Sequence, residues 1–317
     1  MGRCRSRRRR TRNIVSGESR FKTLTGIFGY QGAKKIPENW VIKWRTQRQG
    51  VIMEGDFLTP CDVSPYTEPT KCQTTMYVDL SKRGLDAVIL LVCSVKRSAK
   101  WTEKVQSVAT EAKKLYGDKK RRGSHKHDRR SFMAELGTQT RTTGRPLLLK
   151  PKANAGEDAV KDLYRKFDVL GAEAEETWVP LLKAIGAHTK LGSNYHGSRK
   201  PSMGHTRAPN GMVTINYHVP MHHDERDGLG VTCCENSKGS SKAYFVVPNY
   251  GLKIPLMKGH YKWCFFGAKV LHGSVFDFGS SDKVGVERSS DKVGDCDQIT
   301  WGSWEHVKKS WKKKKSD

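Results

Sequence analysis

Two histidines and one aspartate have the types and order needed to hold a redox metal. They are His222 and Asp224, within His222-His223-Asp224, and His272 further along the chain. Two imidazoles and a carboxylate on one face of a metal leave three coordination positions open, as an oxygen-activating Fe(II) centre requires. On an extended strand, residues two apart share a face, so His222 and Asp224 turn inward together while His223 faces away. That alternation selects His222 over His223. The distal ligand must come from a neighbouring strand, and His272 follows the apolar run Trp263–Phe266. His205 and His218 are read as ordinary core or surface histidines. His125 and His127 lie in a basic run without Cys or carboxylate neighbours and are read as solvated.

The elements that must position these side chains can be sketched from periodicity. Met212–Val219, Ala243–Val247, Leu252–Leu256, Tyr261–Phe266 and Gln298–Trp304 read as short strands. Pro248-Asn-Tyr-Gly251 and Lys258-Gly259 supply turns between them. Short strands with regular turns suggest a compact barrel or jelly roll. Upstream, Leu85–Val95 is β-branched and continuous, as a strand buried on both faces would be. Ser98–Tyr116 places Trp101, Val105, Val108, Ala109 and Ala112 at helical spacing, and Gly156–Ile185 repeats that period with Leu163, Phe167 and Leu182. The fold class expected is α+β, with a double-stranded β-helix core of jelly-roll or cupin type, flanking helices and basic disordered tails.

Four zones follow: a basic arm over 1–20, an N-terminal α/β extension over 21–155, the β-helix core over 156–307 and a basic tail over 308–317. Residues 119–156 break the periodic pattern, and 119–130 read as a mobile basic loop. Gly192–Gly211 is a linker rich in Gly, Ser and Pro. The segment Ser280–Gly285 recurs as Ser289–Gly294, a local duplication enlarging one loop.

Across 317 residues the net charge is +26, from 58 Lys and Arg against 32 Asp and Glu, and it favours a polyanionic partner. The cations cluster, as Arg7, Arg8, Arg9 and Arg10 in the arm and as Lys119, Lys120, Arg121 and Arg122 in the loop. These runs are candidate nucleic-acid contacts, DNA being the expected partner. The eight cysteines contain no C-x-x-C pair, and several sit in apolar surroundings, so free thiols in a reducing intracellular compartment are expected. The arginine-rich start lacks an apolar stretch behind it and is not a secretory signal. Nuclear residence is inferred from the basic runs. Ala87–Cys93, the longest apolar run, is too short to span a bilayer, and no membrane association is expected.

The stretch Thr214–His218, His222–Asp224, Ala243–Leu256, Lys258–Phe266 and Leu271-His-Gly273 resembles the TET/JBP group of 2-oxoglutarate and Fe(II)-dependent dioxygenases. The resemblance covers roughly residues 210–275. It implies an enzyme that uses Fe(II), 2-oxoglutarate and O2 to oxidise the methyl group of 5-methylcytosine or thymine in DNA. His222, Asp224 and His272 match the ligand positions. Two positions depart from the group's pattern, Asp227 where an Asn is common and His260 where an acid follows the turn glycine. The group also implies a basic anchor for the 2-oxoglutarate carboxylate ten to fifteen residues past the distal His. Lys283 has that spacing and Arg288 is the only arginine in the region, and the choice between them, or ascorbate as the reductant instead, stays open. A base inside a duplex is out of reach, so the substrate would be single-stranded or flipped out. Tyr217, Tyr244 and Trp263 are conceivable stacking residues. Two rivals share these residues: a hydroxylase of a protein or small molecule, and an inactive nucleic-acid-binding relative.

Overall fold

A computed structural model describes residues 17–47, 52–69, 73–96, 98–116, 132–140, 146–148, 156–187, 210–215, 218–223, 227–236, 242–256, 260–267, 270–277 and 296–304. Among these are three α-helices and twelve strands, arranged as helices, a large sheet and a small sheet.

The helices are α1 (Gly17–Lys35), α2 (Ala99–Tyr116) and α3 (Glu157–Ala184). Helix α1 bends at Gly29, whose φ of 72° suits glycine; Leu24 and Ile27 are buried before the bend and Ala33 after it. Helix α2 buries Trp101, Val105, Val108 and Ala112, the stripe that its spacing predicts. Helix α3 carries Glu157 and Asp158 in its first turn and Lys183 in its last, each favourable to the helix dipole. Its buried face presents Leu163, Phe167, Leu170 and Ala174. Cross-helix pairs Lys104–Glu173 and Lys166–Glu111 join α2 to α3 at their rim, and the hydroxyls of Tyr116 and Tyr164 meet at 3.3 Å.

The strands are β1 (Val41–Arg45), β2 (Thr74–Asp79), β3 (Val88–Lys96), β4 (Phe132–Thr140), β5 (Pro146–Leu148) and β6 (Asn210–Ile215). They continue with β7 (Asp227–Asn236), β8 (Lys242–Val247), β9 (Leu252–Pro255), β10 (His260–Gly267), β11 (Gly273–Asp277) and β12 (Cys296–Trp304). The large sheet has the order β1-β2-β3-β10-β7-β12-β6-β4-β5, and the small sheet β11-β8-β9. Among the described strands β1 and β2 pair in parallel and the other strand pairs are antiparallel, while an isolated parallel bridge joins Thr67 to Leu252. Strands drawn from both sides of residue 155 therefore share one sheet.

From β6 onward the chain alternates between the two sheets. Strand β6 lies in the large sheet, and the segment 219–222 bonds to the edge of β11 in the small one. Strand β7 returns to the large sheet, β8 and β9 to the small, β10 to the large, β11 to the small and β12 to the large.

The three helices cover one face of the large sheet, where Leu24, Val105 and Phe167 pack with Met76, Leu91 and Val213. The other face meets the small sheet, where Tyr77, Leu90 and Val92 pack with Phe245, Ile254 and Phe276. Strand β3 sits between both cores, and Val88 through Cys93 are all buried, as the run's composition predicts. Val88 and Leu91 nonetheless face the same core although three residues apart. A register shift against β2, where Tyr77 pairs Leu90 and Val78 pairs Val88, inserts Ile89 as the extra residue that flips the alternation.

Several expectations are corrected. The helix α1 begins at Gly17, inside the segment read as an arm, and one turn before Leu24 the half-buried Arg20 donates Nη2–H to the Pro37 carbonyl at 2.7 Å. Within 119–156, read as lacking pattern, β4 and β5 form a hairpin, and Phe132, Ala134 and Leu136 are buried at alternate positions. Strand β7 went unread; Gly228 and Gly230 lower its strand signal. The strand expected to run to Val219 ends at Ile215. The basic loop 119–130, the duplicated loop and both tails beyond residues 17 and 304 lie outside the described residues. No helix among the described residues is long and apolar enough to cross a membrane.

Candidate metal centre

His222 and His272 face each other across two chain segments. The His222 N–H donates to the His272 carbonyl at 2.8 Å, and the His272 N–H donates to the His222 carbonyl at 3.0 Å. Residues that exchange both bonds in an antiparallel pair carry their side chains on one face. The two imidazole centroids are accordingly 4.4 Å apart, with the rings inclined at 53°. His272 is buried at 4% exposure and His222 is half-buried. The pair faces the interior between the sheets, where the Phe245 ring lies 5.5 Å from that of His272.

Both rings are tied back in the same way. His222 Nδ1 lies 2.8 Å from the Pro220 carbonyl, and His272 Nδ1 lies 2.9 Å from the Val270 carbonyl. A carbonyl only accepts, so Nδ1 carries the proton in each ring and the lone pair falls on Nε2. Metal-binding histidines are held in this manner, the second nitrogen bonded to backbone so that tautomer and ring plane are fixed.

Gly273 explains why the segments can approach so closely. A Cβ there would stand 3.0 Å from each of the carbonyl oxygens of Val219 and Pro220 and 2.2 Å from Met221 Cε. Ser274 adds to the join, its N–H donating to the Val219 carbonyl at 3.2 Å and its Oγ accepting from the Val219 N–H at 2.8 Å. His223 turns to a different partner, with Nδ1 3.3 Å from Glu54 Oε2.

Of the residues expected in the centre, the structure brings His222 and His272 together. Asp224 lies outside the described residues, as do Lys283 and Arg288, and so do Arg7, Arg8, Arg9, Arg10, Lys119, Lys120, Arg121 and Arg122. Among the described residues no group of three or more His, Cys, Asp and Glu is gathered as a metal set. With Nδ1 turned to backbone in each ring, Nε2 is the nitrogen through which either imidazole would ligate a borderline metal such as Fe(II), which takes imidazole readily.

The stacking candidates fare differently. Tyr217 and the Trp263 side chain lie outside the described set. Tyr244 packs on the small sheet's outer face, away from the histidines, with Lys253 Nζ 5.1 Å from its ring centroid. His218 sits among rings, 5.3 Å from Phe57 and 6.1 Å from Phe276, as a packed histidine does. Missed at the level of sequence were Met221, fully buried beside the pair, and the turn Met53–Asp56 that bonds to it. Pairing across so many residues leaves no local signal.

In sequence the chain matches no known protein-family profile, and no curated protein is detectably similar. In structure it is similar to NgTET1 in complex with 5mC DNA, with a TM-score of 0.50 at 11% identity, over 96% of this chain and 100% of that one. The two chains share a fold. The structure of OsALKBH1 aligns with a TM-score of 0.35 at 10% identity, over 68% of this chain and 96% of that one.

Proposed function

We propose that this chain is an Fe(II)- and 2-oxoglutarate-dependent dioxygenase that oxidises the methyl group of a modified base, 5-methylcytosine or thymine, in DNA. The observation that carries the reading is the His222/His272 pair, a buried and a half-buried imidazole with ring centroids 4.4 Å apart and each Nδ1 at a backbone carbonyl. Asp224 completes the ligand set in this proposal. The alternation of strands between two sheets supports a double-stranded β-helix as the scaffold. NgTET1, whose structure is a complex with 5mC DNA, shares the fold, which favours DNA over a protein or small molecule.

When bound, Fe(II) with 2-oxoglutarate and O2 supplies the oxidation of the substrate C–H bond. The chain's own part is positional. His222 and His272, with Nδ1 held at backbone carbonyls, would hold the metal through Nε2. Phe245 walls one side of the pair and keeps water from it. Lys283 or Arg288 anchors the co-substrate carboxylate, and the runs Arg7–Arg10 and Lys119–Arg122 neutralise DNA phosphates. Nuclear residence accompanies this reading.

The experiment is direct. The protein, loaded anaerobically with Fe(II), is incubated in air with methylated DNA and 2-oxoglutarate, then with ascorbate in its place, and nucleosides are analysed by mass spectrometry. Oxidised 5-methylcytosine or thymine dependent on 2-oxoglutarate is the expected product. Unchanged nucleosides from a protein that holds Fe(II) would sink the DNA assignment.

A further inference from the structure

The turn Met53–Asp56 is remote in sequence from the His222 segment yet bonded to it. Met221 N–H donates to the Asp56 carbonyl at 2.8 Å, and Gly55 N–H donates to the Met221 carbonyl at 2.8 Å. The Met221 side chain is fully buried with Leu58, Val63 and Leu271, so these bonds rest on a packed support. The turn is itself braced: Met53 N–H donates to Asp56 Oδ2 at 2.7 Å, and Gly55 takes a φ of +94° that few other residues tolerate. Glu54 then reaches His223 Nδ1 at 3.3 Å.

Both neighbours of His222 are therefore held from this side, Met221 through its backbone and His223 through its side chain. From the other side, His272 and Ser274 hold the same segment. A segment bonded along one edge alone can swing, whereas one bonded along both is held more narrowly, as a ligand-bearing segment requires. We propose that the turn Met53–Asp56 is a clasp that positions the metal ligands, with Asp56 fixing the turn and Glu54 fixing His223. The inference rests on the reading of His222 and His272 as metal ligands. Neither Glu54 nor Asp56 touches the metal; both are positioning residues. Glu54 is 63% exposed, and a surface contact of that kind adds little to folding stability.

The test uses the full chain and Co(II), whose visible absorption reports ligand geometry without turnover. Co(II) is titrated into wild type, Asp56→Ala, Asp56→Asn and Glu54→Ala, with the metal-free Tm of each measured alongside. Asp56→Ala is expected to bind about tenfold more weakly, the scale of losses among residues that orient metal ligands. Its metal-free Tm should change little. Asp56→Asn keeps an acceptor oxygen for Met53 N–H and should restore the affinity. Glu54→Ala, which removes the acceptor at His223, should shift the absorption with a smaller loss. Wild-type affinity in Asp56→Ala, or a loss that tracks Tm and is not rescued by Asp56→Asn, overturns the clasp. If Asp56→Ala does not fold, Glu54→Ala decides, and an unaltered spectrum and affinity there overturn it. A wild type that binds no Co(II) instead sinks the metal reading, and the clasp with it.

Discussion

The two faces of the large sheet have been used differently. The face under the helices is filled by apolar groups, with Leu163, Phe167, Val105 and Leu136 at 1% exposure or less. Among the described residues its buried polar groups, Thr102 and Asp168, sit on the helices themselves. The face toward the small sheet takes in Thr75, Asp79 and Thr214 from the large sheet, and Ser274 and His272 across from them. Several of these are tied: Asp79 accepts from Ser81 Oγ at 2.7 Å and from Tyr250 OH at 2.9 Å, and His272 is bonded to Val270. Burying a polar group without a partner costs several kcal/mol, roughly 2–7 by transfer measurements. The helix side therefore carries stability, and the sheet–sheet side spends some of it on fixed polar groups.

That division can be broken by mutation. Phe167→Ala, on the helix side, should have the largest effect, lowering the free energy of unfolding by about 3–5 kcal/mol in urea titrations. The folded fraction should bind Co(II) as wild type does; weakened binding there would erase the distinction. His272→Ala, on the other side, should reverse the pattern, costing about a hundredfold or more in Co(II) affinity by titration, beyond the range of residues that only orient ligands. Its loss of stability should be smaller than that of Phe167→Ala. Gly273→Ala should do both in part, losing about 1–3 kcal/mol because its Cβ presses on the carbonyls of Val219 and Pro220. Co(II) affinity should fall with it as His222 and His272 are pushed apart.

The smallest effect concerns Asp79. Burial would raise its carboxyl pKa, but the hydrogen bonds from Ser81 and Tyr250 and the nearby Lys82 charge outweigh burial and hold it below the usual range. A depressed folded value stabilises the protein above the unfolded pKa near ~3.9. That contribution disappears as pH falls through the folded value. Asp79→Asn should cost about 1 kcal/mol at pH 7 and flatten the acid limb of stability against pH. An unchanged acid limb would remove Asp79 from the tied polar set.

What could be read in the sequence followed the range of the forces involved. The spans α2 and β3 emerge from their own periodicity, and β8 and β9 with the turn at Gly251, φ 60°, emerge from strand runs bounded by turn formers. His222 over His223 follows from alternation alone. Strands β4 and β7 did not emerge, since a basic run adjoins the first and glycines interrupt the second; both owe their state to neighbours in the sheet. The turn that holds Met221 was equally hidden, because a hydrogen bond between Gly55 and Met221 leaves no trace in either local stretch.

Residues before 70 border the small sheet on both sides. Gly55 and Asp56 pair with Met221 beside β11, while Thr67 N–H donates to the Gly251 carbonyl at 2.8 Å and the Lys253 N–H donates to the Thr67 carbonyl at 3.0 Å beside β9. A shortened chain starting at residue 73 would leave unpaired amides and carbonyls facing water at both borders of the small sheet and along the β2 edge that β1 covers. Such edges recruit strands from other molecules, so the shortened protein would be expected to self-associate rather than persist as a smaller soluble unit.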